Sequence, residues 1–269
     1  ARPDHERLER PGTPQVLAPG YHPDGSEIQF TGNTFTTIPN FAAEKFVNNT
    51  HRNRIIANAS LRWNILDWLY VQGRVVQDAY NDRFTNVTPT GTAYRALGDM
   101  RDNSARFSEL NADALIGVSR TIAKDLTLDA SIGANMMKRS NELTNISGSS
   151  FSIPFLYTIP NTANKTNSYF DFRSRVNSVY ATADFGYRSF LYLNLSVRND
   201  WYSTLASPTS DKLSYLYPAI SSSFVFSELL KSNTLSYGKV RVGYAEVGGG
   251  GELPYQTTLN YNIAGTINR

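Results

Sequence analysis

The chain contains no cysteine and only three histidines among its 269 residues. Without thiols it can form neither a disulfide framework nor a thiolate metal site. His5, His22 and His51 all precede the first regular pattern, and none has the partner spacing of a HExxH-type site. A nucleophile elbow, a phosphate-binding loop and a dinucleotide fingerprint are also missing. These absences predict a protein that is not an enzyme and that needs no metal or cofactor.

A long apolar run is missing as well. No stretch of about 18 consecutive apolar residues occurs, so the sequence predicts no transmembrane helix. The 26 Lys and Arg residues and the 23 Asp and Glu residues are mixed along the chain and leave a net charge of +3. Because there is no basic stripe, nucleic acid is not expected as a partner.

Strict alternation of apolar and polar residues is the strongest pattern that is present. In Leu126–Asn135 and in Leu191–Asp200, every second residue is apolar and the residues between are polar or small. Successive side chains of a strand point to opposite faces, so each segment predicts a strand with one apolar and one polar face. Similar segments cover 54–63, 69–78, 109–119 and 179–186, and less regular ones cover 214–226 and 239–247. Many strands of about ten residues are typical of an outer-membrane β-barrel, although the strands of a soluble sandwich also alternate.

The lengths of the connections favour the barrel. Three connections are short, namely Asn64–Asp67, Thr121–Asp125 and Arg188–Phe190, and they alternate with long polar segments, namely Tyr80–Ala105, Lys138–Ser174 and Tyr202–Leu213. Membrane barrels have short periplasmic turns and long extracellular loops. Aromatic residues also gather near both ends of the strands, as expected at two membrane–water interfaces. The sequence therefore predicts an all-β, transmembrane, antiparallel up-and-down barrel.

Candidate site residues lie on the polar side of the alternation and in one long loop. The predicted lumen-facing residues are Asp113, Asp129, Asn135, Tyr192, Asn194, Arg198 and Asp200. The carboxylates among them are expected to pair with Arg74 or Arg198, and structural hydrogen bonding is expected more than direct substrate contact. An apolar island at Phe151–Tyr157 interrupts a Ser/Thr/Asn-rich segment. Its Phe151, Phe155 and Tyr157 are candidates for contact with a partner or ligand, and packing of the loop on itself is the alternative.

Four segments, in order, resemble the barrel of the SusC/RagA TonB-dependent transporters of Bacteroidetes outer membranes. The first runs from Arg52-Asn-Arg-Ile-Ile-Ala-Asn-Ala-Ser-Leu through Asp67-Trp-Leu to Gly73-Arg74. The second is Ser178-Val-Tyr-Ala-Thr-Ala-Asp-Phe-Gly-Tyr, followed by Leu191-Tyr-Leu-Asn-Leu-Ser-Val-Arg-Asn-Asp-Trp. The others are Tyr217-Pro-Ala-Ile-Ser-Ser-Ser-Phe-Val-Phe-Ser-Glu and Tyr237-Gly-Lys-Val-Arg-Val-Gly-Tyr-Ala-Glu-Val-Gly. The resemblance covers about Arg52 to Gly249.

The resemblance implies a barrel of about 22 strands with a plugged lumen. It also implies a SusD-like surface lipoprotein as a lid, coupling to the TonB complex, and import of oligosaccharides or peptides as nutrients. The chain carries neither the plug nor the TonB box and has room for about eight strands. We therefore expect an open arc of the larger barrel, with 1–53 as an irregular extracellular segment and 54–269 in the barrel.

Two other readings of the sequence make different structural predictions. A complete small outer-membrane barrel with an adhesin or structural role requires the first strand to pair with the last. A soluble carbohydrate-binding β-sandwich requires two packed sheets. The identity of the transported substrate is not predicted by the sequence, because variable loops decide it.

Overall fold

The computed structural model describes residues 20–29, 31–207, 213–230, 236–251 and 253–254. Within these residues the secondary structure is one short helix, three 3-10 turns and eight strands. The helix is α1 (Pro39–Lys45), and the 3-10 turns are Ile159–Asn161, Ser203–Leu205 and Phe226–Glu228. The strands are β1 (Val47–Leu66), β2 (Leu69–Thr88), β3 (Asp99–Ala123), β4 (Leu126–Phe151), β5 (Thr162–Tyr187), β6 (Leu191–Tyr202), β7 (Ser214–Phe224) and β8 (Val240–Ala245). No helix in this described part of the chain has the length and apolarity to cross a membrane.

The strands form one antiparallel sheet in the order β1-β2-β3-β4-β5-β6-β7-β8. Each strand pairs with the next strand of the sequence, which is the up-and-down topology that the alternation predicted. The pairing of β5 with β6 places Ser178 opposite Asp200 and Ala181 opposite Val197, so that polar residues meet on one face and apolar residues on the other. β1 and β8 lie at opposite edges. The expected open arc of an all-β barrel is confirmed, and the described residues form neither a sandwich nor a closed small barrel.

The predicted short connections are confirmed, and they are shorter than expected in two cases. β1 ends at Leu66 and β2 begins at Leu69, while β3 ends at Ala123 and β4 begins at Leu126. Asp125 has a φ of 66°, and Arg188 and Ser189 in the third connection have φ of 49° and 60°. Left-handed residues of this kind allow tight hairpin turns between twisted strands.

The predicted long connections are wrong in extent. Most of Tyr80–Ala105 and Lys138–Ser174 is strand, and the true loops are the residues between Thr88 and Asp99 and between Phe151 and Thr162. Likewise, β1 begins at Val47 and α1 precedes it, so the end of the segment predicted to be irregular is regular. Part of Tyr202–Leu213, residues 1–19 of the segment predicted to be irregular and residues 255–269 of the predicted barrel lie outside the described residues. The sequence pattern did not mark these extensions because their residues are largely polar and do not alternate with apolar ones.

The chain divides into two compact units. The first contains the described residues of Ala1–Arg54, Tyr80–Phe107 and Asn141–Asp171. It has a small buried core of Val87, Met100 and Phe151, against which Tyr157 and Ile159 pack, and Ile38 and Phe41 are also fully buried.

The second unit contains the described residues of Ile55–Ala79, Ser108–Ser140 and Phe172–Arg269. Its large apolar side chains are mostly exposed, and Leu61, Trp63 and Ile132 have 75%, 67% and 58% of their surface accessible. The side chains on its other face are polar and make many hydrogen bonds to one another.

Candidate functional site on the polar face

Arg74, Asp113 and Tyr180 form the first polar group of the second unit. The alternation of β2, β3 and β5 turns these three side chains to the same face of the sheet. Arg74 Nε donates to Asp113 Oδ1 at 3.1 Å, and the Tyr180 hydroxyl donates to Asp113 Oδ2 at 3.4 Å. The side chain of Asp113 is only 11% exposed, so its charge is balanced by Arg74 and not by solvent alone.

A second polar group centres on Asp200 at the end of β6. Arg198 donates through Nε to Asp200 Oδ1 at 2.6 Å and through Nη2 to Ser178 Oγ at 2.8 Å. The Tyr202 hydroxyl lies 3.1 Å from Asp200 Oδ2 and 3.1 Å from the Tyr217 hydroxyl. Asp200 is 7% exposed. Each of its two carboxylate oxygens accepts a hydrogen bond, one from Arg198 and one from the Tyr202 hydroxyl. The group joins β5, β6 and β7 into one hydrogen-bonded network.

The ring of Tyr180, on β5, packs against Gly133 of the neighbouring strand β4, which has no side chain. A Cβ atom built at Gly133 would lie 2.6 Å from the Tyr180 ring, which is closer than any ordinary contact. Gly117 lies against the ring of Tyr70 in the same manner. Each glycine therefore lets a tyrosine lie flat across the polar face, an arrangement that also covers the exposed backbone of a strand glycine.

The predicted lumen-facing residues lie in several separate groups. Asp113, Arg198 and Asp200 belong to the two groups above, and the predicted pairing with Arg74 and Arg198 is confirmed for both carboxylates. Asn135 donates to Asn111 Oδ1 at 2.6 Å, Asn194 donates to Asp184 Oδ1 at 2.5 Å, and the Tyr192 hydroxyl donates to the Ser189 carbonyl at 3.1 Å. Asp129 is exposed and has no hydrogen-bond or ion-pair partner within the described part of the chain, so the pairing predicted for it is wrong. These residues share a face but do not converge on one point.

Several members of the polar face were not singled out from the sequence. Arg139 pairs with Glu109 at 2.7 Å in the second unit. In the first unit Arg52 pairs with Asp82 at 2.5 Å, and Tyr80 stacks on Phe107 with ring centroids 4.9 Å apart. Counting every second residue along the strand could have found them. Arg52, Tyr80 and Asp82 continue the series of polar-face positions of β1 and β2 beyond the last apolar residue.

The loop between β4 and β5 is held by the side chain of Asn161. Its Oδ1 accepts from the Ile153 backbone at 3.0 Å, and its Nδ2 donates to the carbonyls of Ile153 and Leu156 at 2.8 and 2.7 Å. These three bonds fix a loop on which Ile153, Phe155 and Leu156 are all exposed.

The three aromatic candidates of this region have different environments. Phe151 is the last residue of β4 and is 3% exposed, so it packs in the core of the first unit and offers no surface to a partner. Tyr157 packs against Phe151 with ring centroids 5.3 Å apart, and burial raises the pKa of its hydroxyl. Phe155 is 48% exposed and has a φ of 62°, an uncommon conformation for a bulky residue. Of the three, Phe155 is the one available for contact.

The arrangement on the polar face suits hydrogen bonding to a neighbouring polar surface. Its arginines and carboxylates largely neutralise one another, which fixes their geometry. Tyrosine hydroxyls and asparagine amides remain as mixed donors and acceptors. Such a wall can hold water, another polar protein segment or a polar solute without a strong charge preference.

Comparison with solved structures assigns the fold. The chain matches the structure of the RagAB peptide transporter with a TM-score of 0.69 at 16% identity, covering 78% of this chain and 24% of that one. It matches the RagAB peptide importer in the "open-open" state with a TM-score of 0.70 at 16% identity, covering 78% and 23%. It matches the "closed-closed" state with a TM-score of 0.66 at 17% identity, covering 78% and 24%.

At 16 to 17% identity these neighbours show that the chain shares the fold of the RagAB structures, in agreement with the fold that the resemblance implied. The chain spans about a quarter of the length of the solved chains that it matches. No protein-family model and no curated protein matches the chain.

Proposed function

We propose that this chain forms part of the barrel wall of a TonB-dependent outer-membrane importer. The observation that carries the proposal is the fold likeness to the RagAB importer, with a TM-score of 0.70 over 78% of the chain. Because the chain corresponds to about a quarter of such a transporter, import is proposed for the whole protein and not for these residues alone. The chain itself supplies wall and loops, and it is not proposed to catalyse a reaction.

The surface of the second unit supports a place in a membrane. An exposed apolar face with side chains such as Leu61, Trp63 and Ile132 is unfavourable in water and suits hydrocarbon. β4 and β5 each have 26 residues, which exceeds the 9 to 11 residues that a spanning strand needs. Among the described residues β1 and β8 each pair on one side only, and an unpaired edge is costly in lipid, so we propose that further strands of the whole transporter pair with them. We place the protein in the outer membrane of a Gram-negative, Bacteroidetes-like cell, with lipid against the apolar face.

The polar face is then the lumen wall. In this arrangement Asp113, Arg198 and Asp200 serve mainly to fix the wall, because their hydrogen-bonding capacity is used by neighbouring side chains. Asp129 is exposed and Tyr192 is 41% exposed, so these two are better placed to meet a plug, solvent or solute.

We propose that the described residues of the first unit lie on the extracellular side, which is the side expected from the sequence for residues 1–53. A SusD-like lipoprotein is the proposed partner there, and the TonB complex would act through segments outside this chain. The exposed side chains of Ile153, Phe155 and Leu156, on the loop that Asn161 holds, form the proposed lid contact. The cargo is peptide or oligosaccharide, and peptide is favoured because the similar solved structures are peptide importers.

Uptake by cells that depend on the whole protein tests this function. A strain lacking the gene should lose energy-dependent uptake of labelled oligopeptides or oligosaccharides, and the whole gene should restore it. The protein should fractionate with the outer membrane. Uptake that is unchanged by the deletion, or a protein recovered in the soluble fraction, would contradict the proposal.

A substitution in the loop tests the lid contact separately. Phe155→Ser should weaken co-purification of a lipoprotein partner while leaving the barrel folded. Tyr169→Ser is the matched control, because Tyr169 is an exposed aromatic residue of the first unit that lies on β5 and outside this loop. Equal retention of the partner by both variants would remove Phe155 from the proposed contact.

A further inference from the structure

A basic groove lies on the apolar side of the second unit, directly beyond the apolar residues of the strands. It has a volume of about 540 Å³ and is lined by Gln77, Ser108, Lys138, Ser140, Arg173 and Arg175, among others. On β4 the side chains that share this side are Leu128, Ala130, Ile132, Ala134 and Met136, and Lys138 is the next in the alternation. From Leu126 to Met136 the apolar segment has about the length of a spanning strand. Lys138 therefore stands where hydrocarbon would give way to headgroups.

The register of β4 and β5 brings two cations together. Ser131 bonds to Thr182 at 2.9 Å, and the Arg188 backbone donates to the Asp125 carbonyl at 2.9 Å. Asn145 bonds to Ser168 in the same register. This pairing places Lys138 opposite Arg175. Like charges that face each other across two strands are destabilising unless an anion lies between them.

The side chain of Arg175 has neutral partners among the described residues. Arg175 donates through Nε to Asn177 Oδ1 at 2.9 Å, and its Nη2 lies 3.3 Å from Met136 Sδ. Within the described ranges, neither Lys138 nor Arg175 contacts a carboxylate. Glu142, the next carboxylate along β4, contacts Arg106, and Glu109 pairs with Arg139 on the polar face.

An apolar groove adjoins the basic one at the contact between Met136 and Arg175. It has a volume of about 710 Å³, and its lining includes Ala59, Ala112, Ala134, Met136, Val179 and Trp201. The alanines leave a channel on a face that elsewhere carries large side chains such as Leu61 and Ile132. Met136 lines this groove and contacts Arg175 of the basic groove, so the two grooves meet.

We propose that the two grooves together bind one phosphorylated membrane lipid, with a phosphate between Lys138 and Arg175 and an acyl chain along the alanines. A soluble anion would use the cations alone, and an ordinary neutral lipid would use the apolar groove alone. Their continuity selects an anionic amphiphile, because phosphate is attracted to Lys and Arg at the membrane surface while the chain stays in hydrocarbon. This inference rests on the proposed place of the chain in the outer membrane.

Binding of diphosphoryl lipid A to the whole protein, purified in neutral detergent and followed by native mass spectrometry, tests the site. The double variant Lys138→Gln/Arg175→Gln should bind this probe about 25-fold more weakly, at about fivefold for each cation removed. The matched control is Arg120→Gln/Lys124→Gln, which removes two cations at the opposite end of the strands and should leave binding unchanged. Equal binding by the wild type and the Lys138/Arg175 variant would overturn the proposal.

A second variant tests the apolar groove with the cations intact. Ala134→Phe should fill the channel and weaken lipid A binding by about threefold, because acyl contacts are lost. If inorganic phosphate at millimolar concentration displaces lipid A completely and Ala134→Phe binds as the wild type, the site is for a soluble anion and the lipid proposal is wrong.

Membrane fractionation separates this failure from that of the proposed function. A protein found outside the outer membrane would defeat both proposals. A protein found there, whose lipid A binding is insensitive to Lys138 and Arg175, would defeat the lipid site alone.

Discussion

The two units of the molecule differ in the burial of their apolar side chains. The first unit buries Val87, Met100 and Phe151 in a core, as a protein in water does. The second unit exposes Leu61 and Ile132 and keeps Asp200 almost completely buried among donors. The proposed place of the second unit in a membrane accounts for this difference. Apolar groups are buried where the medium is water, and they remain on the surface where it is hydrocarbon.

Truncation of a core aromatic should give the largest effect and sharpen this comparison. Phe151→Ala should destabilise the first unit by about 3–5 kcal/mol, because it leaves a cavity among packed side chains. Ile132→Ala in the second unit should cost about 1–2 kcal/mol, since lipid fills the space and only the transfer term remains. Hydrogen exchange on the whole protein in lipid measures both. Similar costs at the two positions would mean that the units do not face different media.

Arginine substitution at two adjacent residues of β6 compares the two faces of the second unit. Leu195→Arg should cost about 2–4 kcal/mol, because it places a charge in hydrocarbon. Asn194→Arg should be tolerated, since Asn194 lies on the polar face beside Asp184. The folded fraction is read from heat-modifiable electrophoretic mobility. Equal tolerance at both positions would contradict a lipid-facing side of the sheet.

Loss of one arginine should lower the free energy of unfolding more on the polar face than in an exposed ion pair. Arg198→Met removes two donors from a group in which the side chain of Asp200 is 10% exposed, and it should cost about 2 kcal/mol. Arg106→Met breaks a pair whose side chains are 73% and 29% exposed, and it should cost less than about 0.5 kcal/mol. Urea unfolding of the whole protein distinguishes the two, and a larger loss at Arg106 would reverse the assignment of buried and exposed pairs.

The smallest expected effect is a dependence of the stability of the first unit on pH. Hydrogen bonds from Arg83 at 2.7 and 3.0 Å hold the pKa of Asp102 below its ordinary value, in a segment outside the proposed membrane span. A lowered folded-state pKa means that the stabilisation is complete above the unfolded pKa of about 4 and is lost as the pH falls through the folded value. The melting temperature of the first unit should therefore fall less between about pH 4 and pH 2 in Arg83→Gln than in the wild type. Identical declines would show that the pair adds no pH-dependent stability.

Much of the sheet follows from the sequence, because alternation and tight turns are local signals. Leu126–Asn135 and Leu191–Asp200 reveal their faces within ten residues, and Arg188–Phe190 can only be a turn. The pairing of Asp113 with Arg74 was also predictable in kind, since both lie on the polar side of neighbouring strands. In contrast, the continuation of β4 to Phe151 was missed. Residues 138–150 are mostly polar and do not alternate with apolar ones, so nothing in their order distinguishes a strand from a loop.

The sequence by itself determined the strand order, the two faces and the positions of the short turns, because each depends on neighbours along the chain. The tertiary structure alone decided which distant side chains meet. It placed Phe151 in a core and left Phe155 exposed on a loop held by Asn161, and it set Lys138 opposite Arg175 above an alanine-lined groove. These outcomes depend on the register between strands and on packing across the sheet. Register is fixed by every pair along a strand at once, so no short segment of the sequence carries it.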